Sequence, residues 1–187
     1  MPKISLNASK KTKQTAAGEI PVDWRCSKLG DLIAQPISGV SVLADEKPPE
    51  RGQPGVLRLS CVTGGRFDPS DLKSPQNGQA QRLGVTAEHN TILISRSNTP
   101  NLVGESAYVT GEHPSAFLPD TLWLLRPKEP DKVSMAWLGY MLRSSHYRRL
   151  LKQIASGTSQ SMKKIQKGAL LKLHAPTPPL PEQEKIA

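Results

Sequence analysis

Thr91-Ile92-Leu93-Ile94-Ser95, with Ala107-Tyr108-Val109-Thr110 and Thr121-Leu122-Trp123-Leu124-Leu125 after it, decides the fold. Each is a short apolar run bounded by polar or turn-forming residues, which predicts strands; the first two read as a pair around a polar connection. Pro127 and Pro130 cut off the third, since proline offers no ladder N–H. Upstream, Gly55 to Val62 alternates, with Leu57, Leu59 and Cys61 on one face and Arg58 and Ser60 on the other, predicting a half-buried strand that turns at Gly64-Gly65. Trp24 to Leu29 leading into Gly30-Asp31-Leu32-Ile33 predicts a short strand and a helical turn. The prolines and glycines between residues 34 and 54 predict a surface loop.

Downstream the pattern turns helical. Ser134 is placed to cap a helix reaching about Ser156, with Trp137, Tyr140, Met141, Tyr147, Leu151 and Ile154 near one face and Gly157 as its stop. Trp123, Trp137, Tyr140 and Tyr147 read as core rather than as base-stacking platforms, because aromatic residues are only 4% of the chain. A polar loop, 157–161, leads to a short basic segment from Met162 to Leu171. Ala175 to Leu180 reads as a stiff, proline-rich extended connector. Pro181-Glu182-Gln183-Glu184 has proline in the first helical turn with acids beside it, which suits a helix start.

The charge is unevenly placed. Of the net +9, all comes from Lys132 to Pro181, which holds nine basic residues and no Asp or Glu; the other 16 basic residues are matched by 16 acidic ones. A clustered positive field attracts polyanions and displaces counterions from nucleic acid. The remaining composition, 36% hydrophobic and 22% charged in 187 residues, is that of one ordinary folded domain, and no apolar run approaches the roughly 20 residues that span a bilayer. Met1 to Ile20 lacks the apolar centre of a signal peptide and reads as a flexible tail of a cytoplasmic protein. Cys26 and Cys61 have neither pairing nor metal-ligand spacing and read as core residues. His89, His113, His146 and His174 are scattered, so neither a structural zinc nor another cofactor is expected.

The segment Pro178-Pro179-Leu180-Pro181-Glu182-Gln183-Glu184-Lys185-Ile186-Ala187 closely resembles the junction between a target-recognition domain and the long spacer helix of type I restriction-modification specificity subunits. Three further patterns occur in that family's order. They are Val56-Leu57-Arg58-Leu59-Ser60 with Gly65 and Ser70-Asp71-Leu72-Lys73; Ile94-Ser95-Arg96-Ser97-Asn98-Thr99 with Leu102-Val103-Gly104; and Gly157-Thr158-Ser159-Gln160. The resemblance covers residues 19 to 187. It implies a mixed α/β (α+β) fold with a curved, largely antiparallel sheet and flanking helices, which reads half of a split duplex DNA target through the major groove. It also implies partners: methyltransferase subunits docked on the spacer helices, a restriction subunit, and self-association where a full spacer helix is present. The resulting division is a tail at 1–18, a DNA target-recognition domain at 19–176, and a connector with the start of a spacer helix at 177–187.

Such a domain needs cations for phosphates and polar side chains on well-held loops for base edges. Arg96-Ser97-Asn98-Thr99, after an apolar strand, and Thr158, Ser159, Gln160, Ser161, Lys163 and Lys164, between basic segments, meet both demands. Arg143, Arg149 and Lys152 are candidate phosphate contacts. Pro181, Glu182, Gln183 and Ile186 are candidate partner contacts. Enzymatic alternatives lack their motifs. Asp45-Glu46-Lys47 and Asp71-Leu72-Lys73 precede Pro119-Asp120 instead of following it as a nuclease site requires, Pro178-Pro179 lacks the preceding Asn or Asp of an adenine methyltransferase, and no phosphate-cradling Gly-x-x-x-x-Gly-Lys loop occurs. A stand-alone DNA-binding or anti-restriction regulatory protein of the same fold is the other reading.

Overall fold

A computed structural model describes residues 11–157 and 161–187. In chain order the elements are β1 (Thr12–Thr15), β2 (Gly18–Pro21), β3 (Arg25–Lys28), α1 (Leu29–Leu32), β4 (Ile37–Ser38), β5 (Ala44–Asp45), β6 (Gly55–Leu57), β7 (Leu72–Pro75), β8 (Thr86–Ala87), β9 (Thr91–Ser95), β10 (Ser97–Asn98), β11 (Ser106–Val109), β12 (His113–Phe117) and β13 (Leu122–Leu125). After these come α2 (Met135–Arg143), α3 (Ser145–Ile154), β14 (Lys163–Lys164), α4 (Lys167–Lys172), β15 (His174–Thr177) and α5 (Leu180–Ile186), and 3-10 turns occupy Leu59–Gly65 and Ala80–Arg82. The architecture is mixed α/β with mainly antiparallel sheets, as the resemblance implies.

The centre is the sheet β11-β9-β13-β4, antiparallel throughout, with Ile94 opposite Trp123 and Leu93 opposite Leu124. Every residue of β9 and β13 is buried. Because side chains alternate across a strand, each strand feeds two cores. Ile92, Ile94, Trp123 and Leu125 pack with Leu29, Met135, Leu138, Leu142, Leu151 and Leu170 of the helices. Leu93, Leu122 and Leu124, joined by Ala107 and Val109, pack with Leu57, Cys61, Val62 and Ala116 on the second sheet's side. Burying each such aliphatic side chain contributes about 1.5–3 kcal/mol. The second sheet, β5-β7-β6-β12-β8, has one parallel pair, β6 with β12, and a separate antiparallel pair joins β15 to β3.

Several expectations are corrected. The run from Gly55 to Val62 is not one half-buried strand: β6 ends at Leu57, all three of its residues are buried, and the chain then coils into a 3-10 turn. Adjacent Cys61 and Val62 are both fully buried, which a coil permits and a strand with one solvent face does not. The single helix from Ser134 is two helices. Ser134 does cap α2, its hydroxyl accepting from Trp137 N at 3.3 Å, but Ser144 turns extended (ψ 150°) and its hydroxyl accepts from Tyr147 N at 3.4 Å to start α3. Tyr140, read as core, is 57% exposed, and Cys26 is only partly buried.

At the chain's two ends, stretches read as irregular are paired. Within the stretch read as a tail, β1 and β2 form a hairpin, its turn tied by Thr15 Oγ1 donating to Gly18 O at 2.8 Å. Part of the stretch read as a stiff extended connector is strand β15, whose Ala175 is fully buried. Among the described residues no helix is long and apolar enough to cross a membrane.

Two substitutions and one surface control test this packing. Leu93→Ala should lower unfolding free energy by about 2–5 kcal/mol in urea titrations, whereas Leu43→Ala, 65% exposed, should stay within about 0.5 kcal/mol. Gly39→Ala should cost about 1–3 kcal/mol or more, because an added Cβ would sit 1.7 Å from the backbone oxygen of Leu118.

Candidate nucleic-acid interface

The two loops singled out in the sequence meet. β10 pairs antiparallel with β14, Ser97 opposite Lys164 and Asn98 opposite Lys163, and Ile165 N donates to Arg96 O at 2.8 Å. Ser156 in turn exchanges both backbone hydrogen bonds with Lys164, at 2.8 and 2.9 Å. The end of α3, β14 and the chain leaving β9 are thereby one hydrogen-bonded unit. Its ladder partners lie far apart in sequence, which no local pattern announces.

Within this unit the candidate residues divide. Arg96 faces inward: its Nε donates to Asp120 O at 2.6 Å, its guanidinium lies 3.6 Å from the Asp120 carboxylate and 5.8 Å from the Trp123 ring centroid. Ser97 and Asn98 are 2% and 7% exposed, and Asn98 uses its amide on Ser95 Oγ (3.1 Å) and on Thr99 N (2.8 Å). Arg96, partly buried, and Asn98 brace the strand with their side chains, and Ser97 is buried beside them. Thr99 is exposed, as are Pro100 and Asn101 after it. Lys163 donates to Gly157 O at 2.7 Å, while Ser161 and Lys164 are exposed. Thr158, Ser159 and Gln160 lie outside the described residues.

Helix α3 supplies the cations. Tyr147 and Leu151 point into the core, which turns Arg149 and Lys152 to the surface. With Lys164 and Lys167 they are exposed in a stretch with no carboxylate from 132 to 181. Arg143, also exposed, donates to Gly65 O at 3.1 Å and lies over the exposed Tyr140 ring, bracing α2 against the 3-10 turn beside Arg148 and Glu105. Among the described residues no three His, Cys, Asp or Glu side chains gather as metal ligands.

One functional residue escaped sequence reading. Arg148 donates to Val103 O (3.0 Å) and Asn101 O (3.3 Å) and pairs with Glu105 at 2.8 Å. Burial pulls its guanidinium below the usual arginine value, opposed by Glu105. It fastens the turn carrying Thr99 and Asn101 to the helix carrying Arg149 and Lys152. The adjacent arginines look alike in sequence; only the helical phase set by Tyr147 and Leu151 separates them. Of the partner candidates, Pro181 and Ile186 are exposed and Glu182 accepts from Trp24 Nε1 at 2.9 Å. Gln183 is 1% exposed, with both ends of its amide bonded inside the domain.

Residues 21–187 match the family described as type I restriction modification DNA specificity domain. The chain is 27% identical over 176 residues to the putative type I restriction enzyme MjaX specificity subunit of Methanocaldococcus jannaschii, covering 94% of this chain and 40% of that protein. It is 23% identical over 169 residues to the type I restriction enzyme EcoEI specificity subunit of Escherichia coli, covering 90% of this chain and 28% of that one. Its fold is similar to a chain in a structure of type I R-M system assembly and conformational transition, with TM-score 0.60, 23% identity, and 89% and 37% coverage. It is similar also to the HsdS subunit of Thermoanaerobacter tengcongensis, with TM-score 0.56, 21% identity, and 94% and 38% coverage. The chain thus spans less than half the length of these relatives.

Because Arg148 and Glu105 are only 13% and 18% exposed at their side chains, Arg148→Ala removes the cation from a largely buried carboxylate, left with Gly64 N at 3.2 Å, and the donor from two carbonyls. It should cost about 3 kcal/mol in chemical denaturation, and Arg149→Ala less than about 0.5 kcal/mol.

Proposed function

Since the chain belongs to the family of type I restriction modification DNA specificity domains, we propose that it reads one half of a bipartite duplex DNA target as part of a specificity subunit. The observation that supports this most directly is the unit of α3, β14 and the turn after β10, where exposed cations and exposed polar side chains share one rigid support. Arg149, Lys152 and Lys164 neutralise phosphates and fix the register on the duplex. Such contacts carry no sequence information, so discrimination falls to side chains that reach base edges. Thr99, Ser161 and the hydroxyl and amide side chains of Thr158, Ser159 and Gln160 have the donor and acceptor types for that work. Arg96, Ser97, Asn98 and Lys163 act behind them, holding the two loops together, and Arg148 holds the pair to α3.

In this reading residues 19–176 are the recognition domain and 177–187 lead away from it. The chain performs no chemistry. Base methylation and DNA cleavage belong to methyltransferase and restriction subunits, which it directs within the cytoplasm, and Pro181 and Ile186 on α5 remain the residues open to such partners.

Duplex binding measured against salt tests the phosphate roles. Arg149→Ala, Lys152→Ala and Lys164→Ala should each make the slope of log affinity against log salt shallower by about 0.9, equally for all sequences. Selection from randomised duplexes tests the reading itself: the chain should enrich a motif of a few base pairs, and Thr99→Ala should relax one position, about 1–3 kcal/mol of discrimination, with the salt slope unchanged. Enrichment of no motif by the folded chain would refute sequence reading.

A further inference from the structure

Trp24 and Glu182, 158 positions apart near the two ends of the chain, are bonded to each other. Antiparallel pairing of β3 with β15 sets Arg25 opposite Thr177, so Trp24 stands beside the chain entering α5. Its indole Nε1 donates to Glu182 Oε2 at 2.9 Å. One residue on, the Gln183 carboxamide is 1% exposed and used at both ends: Oε1 accepts from Ser134 N at 2.9 Å, and Nε2 donates to Pro178 O at 2.9 Å. Ser134 is the residue whose hydroxyl caps α2. A buried amide so satisfied resists movement, because any swing or roll of α5 would strand its donor and acceptor away from water.

We propose that Gln183 and Trp24 are positioning residues that hold α5 at one angle to the domain. The Gln183 bond reaches the start of α2, and α2 leads directly through Ser144 into α3, which carries Arg149 and Lys152. A segment continued from α5 would therefore leave in a set direction relative to a duplex bound at that face, coupling what is read to where the reader's neighbours stand. This use of the latch rests on the DNA-reading function proposed above; the latch itself does not.

The test places nitroxide labels on the whole chain at Glu112→Cys and Lys185→Cys, in a Cys26→Ser background with the buried Cys61 left in place, and measures the distance between them by pulsed electron resonance. The intact latch should give one narrow distance population. Gln183→Leu should at least double its width, and Trp24→Phe, which removes only the indole N–H donor, should broaden it less. Amide exchange in β9 and β13 should be unchanged in both, separating a loosened helix from a loosened fold. If Gln183→Leu does not fold, Trp24→Phe decides alone. A distribution already broad in the parent, or one that stays narrow in the folded variants, overturns the proposal. Because no DNA is present, failure of duplex binding and failure of the latch are read independently.

Discussion

The alternation of side chains along β9 and β13 is the constraint on which the rest of the structure depends. Two adjacent strands with no solvent face must divide their residues between two cores, Ile92, Ile94, Trp123 and Leu125 to the helices, and Leu93, Leu122 and Leu124 to the second sheet. A slip of one residue in either strand would exchange the two sets, placing Trp123 where Leu124 fits. The register is therefore defended from both sides. Everything near the candidate interface starts from the ends of these two strands: β10 leaves β9 one residue after Ser95, and Asp120 and Thr121, which hold Arg96, lead into β13.

That origin explains how polar residues can be both buried and useful. Ser97 and Asn98 continue the order of β9 outward, Ser97 through its ladder pairing with Lys164 and Asn98 through its amide on Ser95 and on the Thr99 backbone, so that Thr99 emerges from a buried, hydrogen-bonded support. Arg148 does the equivalent work from α3. Pre-organised display of this kind lowers the ordering cost that a flexible basic loop would meet on binding. The division between inner side chains that position and outer ones left exposed follows from burial and hydrogen-bond geometry alone.

The strands Thr91–Ser95 and Leu122–Leu125 and the cap at Ser134 were legible because each depends on neighbours in sequence. Less legible was whatever depends on distant partners. Asn98 and Thr99 are adjacent polar residues of the same loop, yet one is interior and the other exposed, because β14 arrives beside Asn98. Ser144 lies in a run with good helical periodicity, but the competing serine cap ends one helix and starts another. Gln183, within the motif that carries the family resemblance, looked like a surface residue of a helix start; its burial depends on Ser134, 49 positions away. Hence the overall fold and the location of the basic face were readable, while the roles of individual loop residues were not.

The most direct test of sequence reading is to graft residues 19–187 in place of one recognition domain of a working type I methyltransferase and map methylated adenines across a genome. The account predicts a new half-site beside the host's unchanged half at a constant spacing. An assembled, active complex that methylates no defined new site would contradict it and favour a regulatory protein of the same fold.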